Sequence, residues 1–112
     1  MIWGNTPERG DLGWISFSPQ AGHEQAGRRP ALVLSPKAYN AKVGLMLCCP
    51  VTSRVKGYPF EVALPKELSV SGVVLSDQLR SLDWRAHHAE IADTAPKEVV
   101  GEVLGKLGAL LA

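Results

Sequence analysis

Arg28 and Arg29 stand immediately ahead of Pro30, and Thr52, Ser53, Arg54 and Lys56 form a second polar group further on. These residue types suit a phosphate. A guanidinium is a planar fork that donates two parallel hydrogen bonds to phosphate oxygens, and a Thr hydroxyl can donate or accept. Together they could hold a phosphate whose negative charge grows in a transition state. RNA needs no metal for such a reaction, because its own 2′-hydroxyl can attack the adjacent phosphorus. The protein then only positions, neutralises and moves protons. An Arg-Arg pair before a strand is equally an ordinary solvated strand end, so residue type alone leaves both readings open.

Other chemistries find less support. No glycine-rich phosphate loop follows a strand in the required form, no HExxH occurs, and carboxylates do not cluster as a metal site requires. His87 and His88 are neighbours, which face apart on a strand and make poor joint ligands. His23 could titrate near neutral pH but reads as a loop histidine without catalytic work. Cys48 and Cys49 are also adjacent, and no further Cys or suitably spaced His completes a zinc site. They read as two reduced, partly buried thiols of a cytosolic protein.

The elements that must carry the cations can be read along the chain. Asp11–Phe17 is expected to be the first strand, with Leu12 and Trp14 on one face and Ile15 and Phe17 on the other. Ser18–Gly27 is a polar loop, longer than an ordinary hairpin connection. Pro30 has no N–H to give, which suits the start of a second strand over Ala31–Ser35, and it biases Arg29 towards extended backbone. Ser35 as N-cap and Pro36 in the first helical position predict a short helix to about Lys42, ended by Gly44.

Leu45–Ser53 reads as a third strand, apolar on both faces, so Thr52 and Ser53 lie at its exit. Phe60–Leu64 alternates, with Phe60, Val62 and Leu64 inward and Glu61 outward. Gly72–Ser76 and Leu79–Trp84 are either a strand pair or one bent strand, and Ala89–Ala92 is a short last strand. Thr94 is the expected N-cap of a terminal helix whose apolar face is Val99, Val100, Val103, Leu104, Leu107, Leu110 and Leu111. Gly101, Gly105 and Gly108 lie on its other faces, either as tolerated weak points or as places where another backbone comes close.

The 112 residues suffice for one domain over 1–112 with a core that needs no disulfide. Twelve Lys and Arg against eleven Asp and Glu give a net charge of +1, which argues against a bulk electrostatic nucleic-acid binder and leaves room for a local basic groove. The N-terminus has no basic region followed by an apolar run, so it does not read as a signal peptide. No apolar stretch approaches the roughly 20 residues of a membrane span. Six or seven short strands with two helices suit a small, curved antiparallel barrel.

Five segments carry a resemblance. Gly10–Leu12, Glu24–Ser35, Pro50–Ser53, Lys56–Val62 and Asp77–Leu82 resemble, in order, the motifs of the MazF/PemK family of toxin endoribonucleases. The coverage runs from about residue 10 to the terminal helix. The resemblance implies the small SH3-like barrel shared with the CcdB toxins, mostly β with a short helix after the second strand and a C-terminal helix. It implies a cytoplasmic homodimer with single-stranded RNA in grooves at the interface, and sequence-specific cleavage without metal or cofactor, leaving a 2′,3′-cyclic phosphate and a 5′-hydroxyl. On matching positions, Arg29 would stabilise the phosphorane and assist proton transfer, Thr52 would hydrogen-bond a phosphate oxygen, and Glu24 would order the loop or handle a proton.

Arg28 stands where the family also uses other residues, including His; an arginine is a poor general acid at neutral pH, so the proton carrier is left open. Phe17, Arg28, Ser53, Arg54, Lys56, Asp77, Gln78 and Arg80 are the expected RNA contacts, since unpaired bases stack on aromatics and show their edges to polar groups; Phe17 could equally be a core residue. The resemblance further implies a separate MazE-like antitoxin whose acidic, disordered C-terminal tail folds along the toxin and blocks the groove. Two other readings share the fold. One is a CcdB-like gyrase poison, which the C-terminus disfavours because it lacks the terminal Trp of those relatives. The other is an inactive SH3-like binding module.

Overall fold

The structure is a computed structural model that describes residues 5–16 and 27–112. Among the described residues there are seven antiparallel strands: β1 (Asp11–Ser16), β2 (Arg28–Val33), β3 (Leu45–Thr52), β4 (Glu61–Ala63), β5 (Val73–Leu75), β6 (Arg80–Asp83) and β7 (Glu90–Thr94). The helices α1 (Lys37–Val43), between β2 and β3, and α2 (Lys97–Leu111), at the C-terminal end, accompany them. The strand order is β4-β5-β3-β2-β1-β7, with β6 also paired to β3. The mostly-β class with a short and a terminal helix is the expected one, but the sheet does not close. Among the described residues β4 and β7 end that order, and β6 pairs with β3 alone.

β3 is the hub. It pairs with β2 through Leu32↔Cys49 and Val33↔Cys48, with β6 along its first half, and with β5 at its exit through Val51↔Val74 and Thr52↔Val73. The segments around β5 and β6 are therefore not a pair with each other. They are successive partners of one long strand, closer to the bent-strand alternative. A strand that is apolar on both faces must be covered twice, and β3 is. Cys49 and Val51 join Leu12, Leu32, Val74 and the buried residues of α2 in one core cluster. Cys48 and Met46 join Ile15, Val33, Leu82 and Trp84 in the other. The alternation of strand side chains thus sends the two adjacent thiols into opposite cores. Burial, first of all, pushes each thiol up to about 12, so neither is a thiolate at neutral pH.

Only part of the apolar stripe of α2 is covered. Val99, Val103 and Leu107 are buried, whereas Leu104, Leu110 and Leu111 are exposed. Neither expected N-cap serves as one. Thr94 is the last residue of β7 and Pro96 occupies the cap position of α2 without a side-chain bond. At α1 the cap position falls on Pro36. Ser35 works inward instead, donating to Asn40 Oδ1 at 2.6 Å and accepting from Leu47 N at 2.8 Å. Asn40 is fully buried and donates to the carbonyls of Pro7 and Ser35, while its own carbonyl accepts from Trp84 Nε1. This satisfied polar node fixes α1 and the N-terminal segment to the sheet.

Candidate active site

Arg29 and Thr52 meet because of strand register. The β2–β3 ladder ends at Ala31↔Pro50, because the next hydrogen-bonded rung would need an N–H that Pro30 lacks. Continuing that register by two residues brings Arg29 on β2 opposite Thr52 on β3. Past the last rung the strands frame a cleft of about 560 Å³, a volume within the roughly 300–1,000 Å³ of ligand sites. Trp14, Arg29, Pro30, Thr52, Ser53 and Arg54 line it on the strand side, and the Ser69–Ser71 segment forms the opposite wall. A second lobe of about 250 Å³ is lined by Lys56, Tyr58, Glu61, Leu75 and Gln78, and shares Thr52 and Arg54 with the first. Thr52 and Arg54 therefore sit where the two lobes join.

The hydroxyl of Thr52 is oriented. Its Oγ1 accepts a hydrogen bond from Arg54 N at 3.1 Å, a local turn that binds one lone pair. The hydroxyl proton is left to be donated, which is what a phosphate oxygen requires. The backbone beneath is equally fixed. Gly72 has φ +119°, and a Cβ placed on it would lie 2.1 Å from the Thr52 carbonyl oxygen. Only glycine admits this approach of β5's entry to the exit of β3. On the far wall, Asp93 Oδ2 accepts from Ser69 N and Ser69 Oγ, and Oδ1 accepts from Thr94 N. These hydrogen bonds, that of Ser69 N foremost, hold the Asp93 carboxyl below its ordinary value.

The expected site residues divide three ways. Arg29, Thr52, Ser53 and Arg54 share the larger lobe, and Lys56 and Gln78 join Thr52 and Arg54 in the smaller one. Arg28, Asp77 and Arg80 line neither. Arg28 donates to Ser16 Oγ at 3.0 Å and pairs with Glu90 at 2.9 Å across the β1–β2 and β1–β7 edge. Asp77 accepts a hydrogen bond from the Tyr58 hydroxyl, and that bond, with burial and the neighbouring charge behind it, raises the Tyr58 phenol above its usual value. Arg80 lies on β6 opposite Cys48. Glu24, Phe17 and His23 lie outside the described residues. His87 has a structural place, donating from Nδ1 to the Ser16 carbonyl at 2.6 Å. Among the described residues no group of three or more His, Cys, Asp or Glu side chains could hold a metal ion.

Sequence reasoning missed Trp14, the Ser69–Ser71 wall and Gly72. Trp14 was expected to share one apolar face with Leu12, yet it is 38 % exposed against 0 % for Leu12. The β1–β2 ladder is continuous through Leu12↔Leu32 and Trp14↔Pro30, so Trp14 keeps that face and is exposed because it lines the cleft rather than the core. A glycine inside a strand often marks a close backbone approach, and a Cβ on Gly13 would lie 3.3 Å from the Glu90 carbonyl oxygen. Gly72 carried a similar signal, but nothing in a linear reading says which backbone it meets.

The family described as PemK-like, MazF-like toxin of type II toxin–antitoxin system matches residues 8–111. The endoribonuclease toxin MazF of Escherichia coli K12 is 45 % identical over 111 residues, covering 99 % of each chain. The endoribonuclease toxin ChpB of the same strain is 41 % identical over 110 residues and covers 93 % of each. A crystal structure of MazE–MazF from Deinococcus radiodurans superposes with a TM-score of 0.88 at 66 % identity, covering 95 % of this chain and 96 % of that one. An open β-sheet framing a basic, hydroxyl-lined cleft thus defines a toxin of the type II toxin–antitoxin class. Within that class the chain belongs to the PemK-like, MazF-like toxin family.

Proposed function

We propose that this chain is a sequence-specific, metal-independent endoribonuclease and the toxin of a toxin–antitoxin pair. The observation that carries the reading is the convergence of Arg29, Thr52, Ser53 and Arg54 on one cleft. The 2′-oxygen attacks the adjacent phosphorus, a 2′-O–P bond forms and the P–O5′ bond breaks. The 2′ proton leaves, a proton reaches the departing 5′-oxygen, and the products are a 2′,3′-cyclic phosphate and a 5′-hydroxyl.

Arg29 stabilises the charge that gathers on the phosphorane oxygens and assists proton transfer, through donors aimed where charge develops. Thr52 donates its hydroxyl proton to a phosphate oxygen. Glu24 orders the loop ahead of β2 or handles a proton. Ser53, Arg54, Lys56 and Gln78 line the path of the single strand. Arg28, whose fork is engaged by Ser16 and Glu90, also supports β2 beside Arg29. The whole of residues 1–112 acts as one domain, paired as a homodimer in the cytoplasm. A MazE-like antitoxin with an acidic tail covers the groove, in keeping with the MazE–MazF complex among its structural relatives.

The test is cleavage of a long, mixed-sequence single-stranded RNA in EDTA by the wild type and by Arg29→Ala. Discrete fragments from the wild type, with at least a ~10²-fold loss in the variant, are expected for removal of a transition-state donor. Intact RNA from the folded wild type overturns the reading and makes gyrase supercoiling the next assay. Equal cleavage by both overturns the role of Arg29.

A further inference from the structure

The smaller lobe contains an acid where RNA would pass. Glu61 lines it beside Arg54, Lys56 and Gln78. A carboxylate repels a phosphate strand, so its place there needs a physical reason, and its hydrogen bonds supply one. Glu61 opens β4, and its two oxygens accept from consecutive backbone N–H groups: Oε2 from Lys56 N and Oε1 from Gly57 N, both at 3.0 Å. Gly57 has φ +80°, the left-handed conformation that turns successive N–H groups towards one anion. Both bonds end on backbone, which leaves the Lys56 ammonium to the lobe.

The rest of the segment is closed around this point. Glu61 N donates to the Tyr58 carbonyl, the Tyr58 hydroxyl donates to Asp77, Lys106 of α2 donates to the Pro59 carbonyl at 2.8 Å, and Arg54 N returns to Thr52 Oγ1. The side chains of Arg54, Lys56 and Tyr58 thus project from a backbone held by one carboxylate, in the same lobe as Thr52.

We propose that Glu61 is a positioning residue for base selection. It holds the Arg54–Pro59 loop as the wall of the smaller lobe and so decides which base is admitted next to the phosphate on Thr52. The inference rests on the ribonuclease reading above. Asp77 supports the same wall through Tyr58.

The experiment uses the full chain with Glu61→Ala and Glu61→Gln. Amide hydrogen exchange at Lys56 and Gly57 is measured by NMR, and cleavage of the mixed-sequence RNA is mapped at fragment ends with kcat and KM at the preferred sequence. In Glu61→Ala the two amides exchange at least about tenfold faster, as loss of charge-assisted hydrogen bonds demands. KM rises about as much, cleavage spreads to further sequences, and kcat at the preferred sequence changes far less. Glu61→Gln, which keeps one acceptor oxygen, falls between the two and carries the test if the alanine variant does not fold. Unchanged amide exchange overturns the proposal. So does faster exchange with the same fragment map and KM. Altered selectivity with both amides still protected would mean that the carboxylate touches the base itself, which also overturns it. A wild type that cuts nothing removes the ribonuclease reading instead, and the exchange rates still decide whether Glu61 clamps the loop.

Discussion

At the scale of single residues, the site depends as much on an absent side chain as on those present. Thr52 can offer its proton only if the exit of β3 stays where Arg54 N can reach its oxygen, and Gly72 is what lets β5 enter against that backbone. Alanine at this position meets two penalties, a φ of +119° that L side chains rarely adopt and a Cβ 2.1 Å from the Thr52 carbonyl. Gly72→Ala should therefore cost about 1–3 kcal/mol of stability, within the usual range for backbone strain or overpacking, read as a lower urea midpoint with unchanged slope. Its effect on RNA cleavage should be larger than that loss of folded protein explains, because the displaced atoms belong to Thr52. A variant that folds stably and cleaves normally would show that the exit of β3 can shift without harm to the site.

At the scale of elements, the helices separate what sequence can say from what it cannot. The apolar spacing of α2 placed the helix and its buried residues Val99, Val103 and Leu107, because that stripe is a local pattern. It could not say where the stripe's cover ends, and Leu104, Leu110 and Leu111 are left exposed. Within the chain a Cβ on Gly101 or Gly105 meets nothing within 4 Å. Gly101→Ala and Gly105→Ala should each stabilise the chain by about 0.8–1 kcal/mol, the ordinary helix preference of Ala over Gly, measured by urea unfolding at low protein concentration. Destabilisation instead would place a second backbone against that face. The strands teach the complementary lesson. β1 and β3 were legible from their runs of strand formers, but β2 was expected to start at Ala31 and starts at Arg28, because pairing with β1 extends it through Pro30. Arg29 and Thr52 were found through the motifs they stand in. That they face one another is a consequence of the β2–β3 register, and no local signal carries a register.

At the scale of the whole molecule, charge is arranged rather than accumulated. A net charge of +1 supplies almost no long-range attraction for RNA. The attraction has to come from the few cations that line the two lobes, Arg29, Arg54 and Lys56, while Arg28 is held by Glu90 and Lys106 by the Pro59 carbonyl. This division fixes a number. Each phosphate neutralised on a single strand contributes about −0.7 to the slope of log affinity against log salt, so three lining cations predict a slope of about −2 per site. Removing one of them in Arg54→Ala should bring it towards roughly −1.4, whereas Arg28→Ala should lower stability and leave the slope where it was. The measurement is a titration of fluorescent single-stranded DNA, which lacks the attacking 2′-hydroxyl, across a range of salt concentrations. A much steeper slope would mean that phosphates are held well beyond the two lobes. A slope near zero would mean that stacking on Trp14 and Tyr58 holds the strand, and that the cations act only once the phosphate begins to change.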